Sequence, residues 1–182
     1  YDELNRLHWA FYYDGTAIAY SYSADGITWS SAGTLPYSTS SFTVGQKVLN
    51  GRSYVFVAVE ADIYDVVLLR GALGLAGVSF DAPITGFDGT GANNSYRKQT
   101  MAFDDAGHIW LSAIHTLSTA STTFERSQAV VRRSSALGDA SILSFDVWQV
   151  VGRSVPTLRS TVLTSRQGEA MYLVLSNDSP SN

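Results

Sequence analysis

Ser23-Ala24-Asp25-Gly26-Ile27-Thr28-Trp29 follows the alternating run Ile18-Ala19-Tyr20-Ser21-Tyr22, and this stretch decides the fold. Asp-Gly between apolar-alternating segments is a strong hairpin signal, because glycine takes the positive φ that a tight turn demands. Ser23, Asp25 and Thr28 carry oxygens able to bond the turn's own backbone. Trp29 is then expected to restart the next strand with a large apolar side chain.

Working outward, a strand, a glycine-containing turn and a second strand with an early aromatic recur along the chain. The first unit contains Leu7 to Tyr13. In the second, Gln46 to Leu49 turns at Asn50-Gly51 into Tyr54 to Val59. In the third, Arg97 to Phe103 turns at Asp104 to Gly107 into Ile109 to Ile114. In the fourth, Arg159 to Leu163 turns near Gln167-Gly168 into Met171 to Leu175. Third strands are expected at Ile18 to Tyr22, Asp65 to Leu69 and Gln128 to Arg133. Outer strands are expected at Ser30 to Leu35, Val78 to Phe80 and Phe145 to Val150. Four-stranded meanders repeated radially make a β-propeller, so the fold class is all-β with about four antiparallel blades. Near-continuous apolar strands such as Tyr54 to Val59 suit burial on both faces between neighbours. The approximate blades are 1–40, 41–90, 91–153 and an incomplete 154–182. At roughly 40–50 residues per blade the chain holds somewhat under four. The first lacks an obvious innermost strand and the last stops after its second, so further blades or another chain are expected to complete the ring. An open arc would leave strand edges that invite pairing.

Composition bounds the function. The 182 residues carry a net charge of −4 and no basic stripe, which removes the electrostatic footprint for nucleic acid. Lys47 and Lys98 are the only lysines, and no apolar run is long enough for a membrane-spanning helix, so neither nucleic acid nor membrane insertion is expected. The absence of cysteine excludes disulfides and thiolate metal sites. His8, His108 and His115 lack metal-ligand spacing, and neither a metal nor a cofactor is expected. Few lysines, Ser/Thr-rich loops and the acidic balance lean towards an exported, extracellular or cell-surface protein, with which the triplets Asn93-Asn94-Ser95 and Asn177-Asp178-Ser179 are compatible. The start at Tyr1 is read as a trimmed or partial product.

The pattern S-x-D-G-x-T-W resembles the Asp-box of sialidase-like, BNR-repeat β-propellers. The resemblance implies that Ser23, Asp25, Gly26, Thr28 and Trp29 form a structural turn at a blade's outer edge, away from any ligand site. Tyr96-Arg97 through Gly107 resembles the start of a sialidase domain, where an F/Y-R-I-P motif supplies one arginine of a carboxylate-binding triad. Lys98-Gln99 stand here in place of Ile-Pro. A sialidase ring has more blades than this chain supplies.

Propeller ligand sites occupy the channel mouth, where strand 2–3 loops and inter-blade connections converge. Arg97 and Arg159 stand at the starts of innermost strands, with Lys47 read as their match in the second unit, and such cations converge on an anionic ligand. Tyr96 adjoins Arg97. Glu60, Asp62 and Asp65 form the densest acidic cluster, suited to a cation or a sugar hydroxyl, though such clusters are more often solvated loops. No catalytic residue is assigned. The incomplete blade count and altered arginine motif favour a non-catalytic module for glycan or protein recognition or assembly. The alternatives are an exo-glycosidase of the sialidase type acting on terminal acidic sugars, and a structural unit of a surface filament or layer.

Overall fold

The computed structural model describes residues 1–30, 33–62, 64–90, 94–117, 126–155, 158–164 and 172–177, and the side chains of these up to residue 151 except at 117 and 126. Among them there is no helix, and the structure is all-β. Sheet I contains β1 (His8–Tyr13), β2 (Ile18–Ser23) and β3 (Gly33–Leu35). Sheet II contains β4 (Phe42–Leu49), β5 (Arg52–Glu60), β6 (Val66–Leu73) and β7 (Val78–Phe80). Along the outer edge of β6, β7 pairs with Gly71 to Leu73 while β8 (Ile84–Phe87) pairs with Val66 to Leu68. Sheet III contains β9 (Asn94–Phe103), β10 (Ile109–Leu117), β11 (Arg126–Arg133) and β12 (Gln149–Val155); sheet IV pairs β13 (Leu158–Thr164) with β14 (Tyr172–Asn177). Every pairing is antiparallel, and apart from β8 each strand pairs with its neighbour in sequence. The described strands form no closed ring.

Sheet II lies between sheets I and III, which explains its run of apolar residues. In a strand successive side chains point to opposite faces. Val55, Val57 and Val59 of β5 therefore join Ile18, Leu35, Leu69 and Leu73 on one face. Phe56 and Ala58 join Leu68, Met101, Leu111, Ala113 and Val130 on the other. Val55 to Val59 are all at most 2% exposed, and each buried Val or Phe side chain contributes about 1.5–3 kcal/mol of transfer free energy. Gly45 lets β4 approach β9, since a Cβ there would lie 2.7 Å from the Phe103 ring.

The Asn50-Gly51 hairpin forms as read: Leu49 pairs with Arg52, and both turn residues have positive φ (48° and 74°), as a two-residue type I′ turn requires. The Asp25-Gly26 turn differs from the two-residue hairpin its sequence predicts. Asp25 Oδ1 accepts the Ile27 and Thr28 backbone N–H groups (2.8 and 2.7 Å) and the Ser23 hydroxyl (2.9 Å), while Gly26 N–H donates to Ser23 Oγ. Gly26 supplies the positive φ of 73°. These bonds hold the Asp25 carboxyl far below the usual carboxylate range, the Thr28 and Ile27 amides contributing most. Trp29 starts no strand; it is partly exposed, and Ser30 N–H donates back to Tyr22 O. The side-chain oxygen, rather than cross-strand pairing, organises this loop.

Other boundaries move for local reasons. β12 begins at Gln149, because Phe145 makes only an isolated bridge to Ser134. β8 is absent from the sequence reading; its four residues carry too little alternation to mark a strand. Residues 167–168, with the predicted fourth turn, and Met171 and Asn93 lie outside the described residues.

Candidate functional site

The β5–β6 loop, the start of β9 and the segment before β4 meet at one end of sheets II and III. There an open cleft of about 440 Å³ is lined by Ser38, Thr39, Glu60, Asp62, Arg97 and Lys98. Three predicted residues, Glu60, Asp62 and Arg97, are thus brought together. The Asp25 turn lies at the opposite end: it follows Ser23, which pairs with His8, and the adjoining Asn5 amide donates to Leu73 O at the far end of β6.

A β-bulge shapes the cleft. Thr100 pairs with Ser112 and Arg97 with Ile114, leaving Lys98 and Gln99 opposite Ala113 alone. Lys98 takes φ +54°, a left-handed conformation costly for a residue with a Cβ. Glu60 stabilises it: its Oε1 accepts the Lys98 backbone N–H and the Ser41 hydroxyl, each at 2.7 Å. Gln99 is buried, and its Nε2 donates to Ser41 O (2.9 Å) and Ala58 O (3.1 Å), tying β9 to sheet II.

The remaining acids are also engaged in backbone bonds. Asp62 Oδ1 accepts the Tyr64 and Asp65 N–H groups (2.5 and 2.9 Å), and Asp65 Oδ1 accepts the Gly89 N–H at 2.7 Å. Tyr96 N–H donates to Tyr64 O, anchoring the loop to β9. These bonds hold Asp62, Tyr64 and Asp65 in place. Arg97 is exposed and enters none of the ion pairs found among the described residues. Chemically the cleft offers a guanidinium, an ammonium, two hydroxyls and carboxylates whose bonded oxygens face the backbone, an arrangement suited to holding a polar, anionic group.

The other predicted residues sit elsewhere. Lys47 does not match Arg97: five residues past Phe42, about 17 Å along β4, its Nζ reaches Asp104 O at 3.5 Å at the opposite end of the sheets. Sequence spacing hid this because the register between sheets is set by packing. Arg159 is the second residue of β13, which packs beside β9; its side chain lies outside the described set. Tyr96 is buried, its ring stacked between His115 (4.4 Å, 8°) and Phe87 (5.0 Å, 20°). Burial, chiefly, raises its hydroxyl pKa.

Behind the cleft, His115 Nε2 lies 2.5 Å from Asn94 Oδ1 and its Nδ1 lies 3.2 Å from Gln128 Nε2. With Gln128 donating, the neutral Nε2–H tautomer satisfies both partners, and burial lowers the histidine pKa. Sequence reasoning missed Ser38, Thr39, Ser41 and the bulge itself. The one available signal was Lys98-Gln99 following Tyr96-Arg97. Among the described residues, no group of three or more His, Cys, Asp or Glu side chains is placed to hold a metal ion. Comparison with protein-family models, curated proteins and solved structures finds no match to this chain.

Proposed function

We propose that the chain is part of an Asp-box β-propeller of an exported protein and acts as a non-catalytic recognition module, its loop-end cleft taking an acidic glycan. The supporting observation is the pairing state of the cleft: Arg97 is exposed and outside the ion pairs, while Glu60, Asp62 and Asp65 each give an oxygen to structural bonds. Tyr96, stacked in the core, presents no nucleophile to the cleft. Sheets II and III, each a meander of at least four strands with sheet I packed alongside, support the propeller reading. Lys98-Gln99 serve the bulge and the tie to sheet II, roles unlike those of Ile-Pro in the sialidase motif.

Titration of the chain with sialyllactose, followed by NMR, tests the reading. Binding is expected, with lactose alone much weaker, and Arg97→Ala is expected to weaken it by about tenfold or more with an unchanged melting temperature. Indifference to Arg97→Ala would overturn the cleft assignment. Hydrolysis of a fluorogenic sialoside that disappears in Arg97→Ala would replace the module with the exo-glycosidase.

A further inference from the structure

Glycine follows an aspartate or asparagine at Asp14-Gly15, Asp25-Gly26, Asn50-Gly51 and Asp88-Gly89. At such a step the glycine nitrogen, which no Cβ shields, can attack the preceding side-chain carbon and close a five-membered imide. Three of the four steps are blocked. Asp14 Oδ1 accepts the Thr16 and Ala17 amides, and Asp25 Oδ1 those of Ile27 and Thr28. Both carboxyls are thereby held ionised, a form with no leaving group. The Gly89 N–H is itself engaged, donating to Asp65 Oδ1.

Asn50 differs on each count. Its side chain is a neutral amide, so ammonia can leave. Asn50 and Gly51 are exposed at the tip of the β4–β5 hairpin, and nothing lies within 4 Å of where a Gly51 Cβ would stand. Asn50 has a φ of 48°. Ring closure brings Gly51 N into the plane of Asn50 Cα, Cβ and Cγ, which sets Asn50 ψ to about −120°, the value of the first central residue in a type II′ turn. Types I′ and II′ both give that residue a positive φ and both close two-residue hairpins. Glycine accepts either sign of φ at the second position. A flip of the single Asn50–Gly51 peptide unit therefore reaches the reactive geometry with Leu49 still paired to Arg52.

The same side chain is a structural tie. Asn50 Nδ2 donates to Asp139 Oδ2 at 2.6 Å, joining the hairpin to the loop between β11 and β12. In that loop Gly138 N–H donates to Gly107 O, and the Gly138 and Ala140 carbonyls accept from Arg70. We propose that Asn50 is a self-modification site whose conversion unlatches this loop. Gly51 N gives up its proton and bonds to Asn50 Cγ, the Cγ–Nδ2 bond breaks and ammonia leaves. Water then opens the imide to aspartate or isoaspartate. In the aspartate product the donor to Asp139 is replaced by a second carboxylate, and like charges at hydrogen-bond distance repel. No oxidant, metal or enzyme enters the step, and ammonia loss makes it one-way.

The full chain is incubated in mildly alkaline buffer, folded or in urea, and its tryptic peptides are followed by mass spectrometry. Asn50 is expected to convert before any other asparagine, folded within about tenfold of the unfolded rate, because no hairpin opening precedes the reaction. Asn50→Gln, which needs a larger ring, is expected to stay unconverted over the same period. Asn50→Asp is expected to speed hydrogen exchange of the Gly138 and Ala140 amides about threefold. Adding Asp139→Asn to that variant, which exchanges donor for acceptor across the same contact, is expected to restore the slower rate. Earlier conversion at another asparagine, or folded conversion more than about tenfold slower than unfolded, would overturn the site. Exchange unaltered by Asn50→Asp, or not restored in the double variant, would overturn the unlatching.

Discussion

Glu60 Oε1 accepts the backbone N–H of Lys98 at 2.7 Å, so a carboxylate at the end of β5 fixes a left-handed residue 38 positions later in β9. Removing it leaves the bulge amide and the Ser41 hydroxyl without their acceptor. Glu60→Ala is expected to cost about 1–3 kcal/mol in urea unfolding. Glu60→Gln should cost less, because its amide oxygen still accepts.

Asp25 links folding to acid. Its carboxyl titrates below the ordinary value of 3.8 in the folded chain because backbone amides and Ser23 donate to it. A depressed folded value means that the unfolded state binds the proton first. The stabilisation is therefore present above about pH 4 and is lost as pH falls further. Asp25→Asn is expected to flatten the dependence of melting temperature on pH below 4, and Asp25→Ala to lower the melting temperature at neutral pH.

Burial of His115 links stability to pH. Burial lowers its pKa from 6.5, so the folded chain holds it neutral after the unfolded chain would protonate it. Stability from this source is intact above about pH 6.5 and declines as pH drops towards the folded value. His115→Phe is expected to reduce the slope of unfolding free energy as pH falls below about 6.5, with hydrogen exchange of Asn94 and Gln128 side chains faster.

Arg70 is a buried clamp. Its Nε meets Asp81 Oδ2 at 2.6 Å, and one terminal nitrogen donates to Gly138 O and Ala140 O at 2.9 and 2.6 Å. Arg70→Ala would orphan two carbonyls and is expected to cost about 2–3 kcal/mol by chemical denaturation. Arg70→Lys should not restore it, since one ammonium cannot span both directions of the planar fork.

How far the sequence alone reached depended on range. Val55 to Val59 announced burial on both faces, and Asn50-Gly51 named its turn, because each is decided by neighbouring residues. The Asp25 side-chain bonds were foreseeable, yet Trp29 was not: Asp25 captures the two amides just before it, and Trp29 itself enters no strand. Glu60, Asp62 and Arg97 shared a cleft as expected of loops at one end. Lys47 did not, since its height relative to β9 follows from the Gly45–Phe103 approach, which no local pattern carries. The Glu60–Lys98 bond is equally non-local.

Because sheet II contributes one face to each hydrophobic cluster, the molecule offers no plane along which it can be divided. A fragment ending before Phe42 would leave Ile18 and Leu35 bare to water, while one beginning there would bare Val55, Val57 and Val59. Anyone trimming this chain for expression should expect either piece to aggregate, and should choose cut points outside residues 1–155.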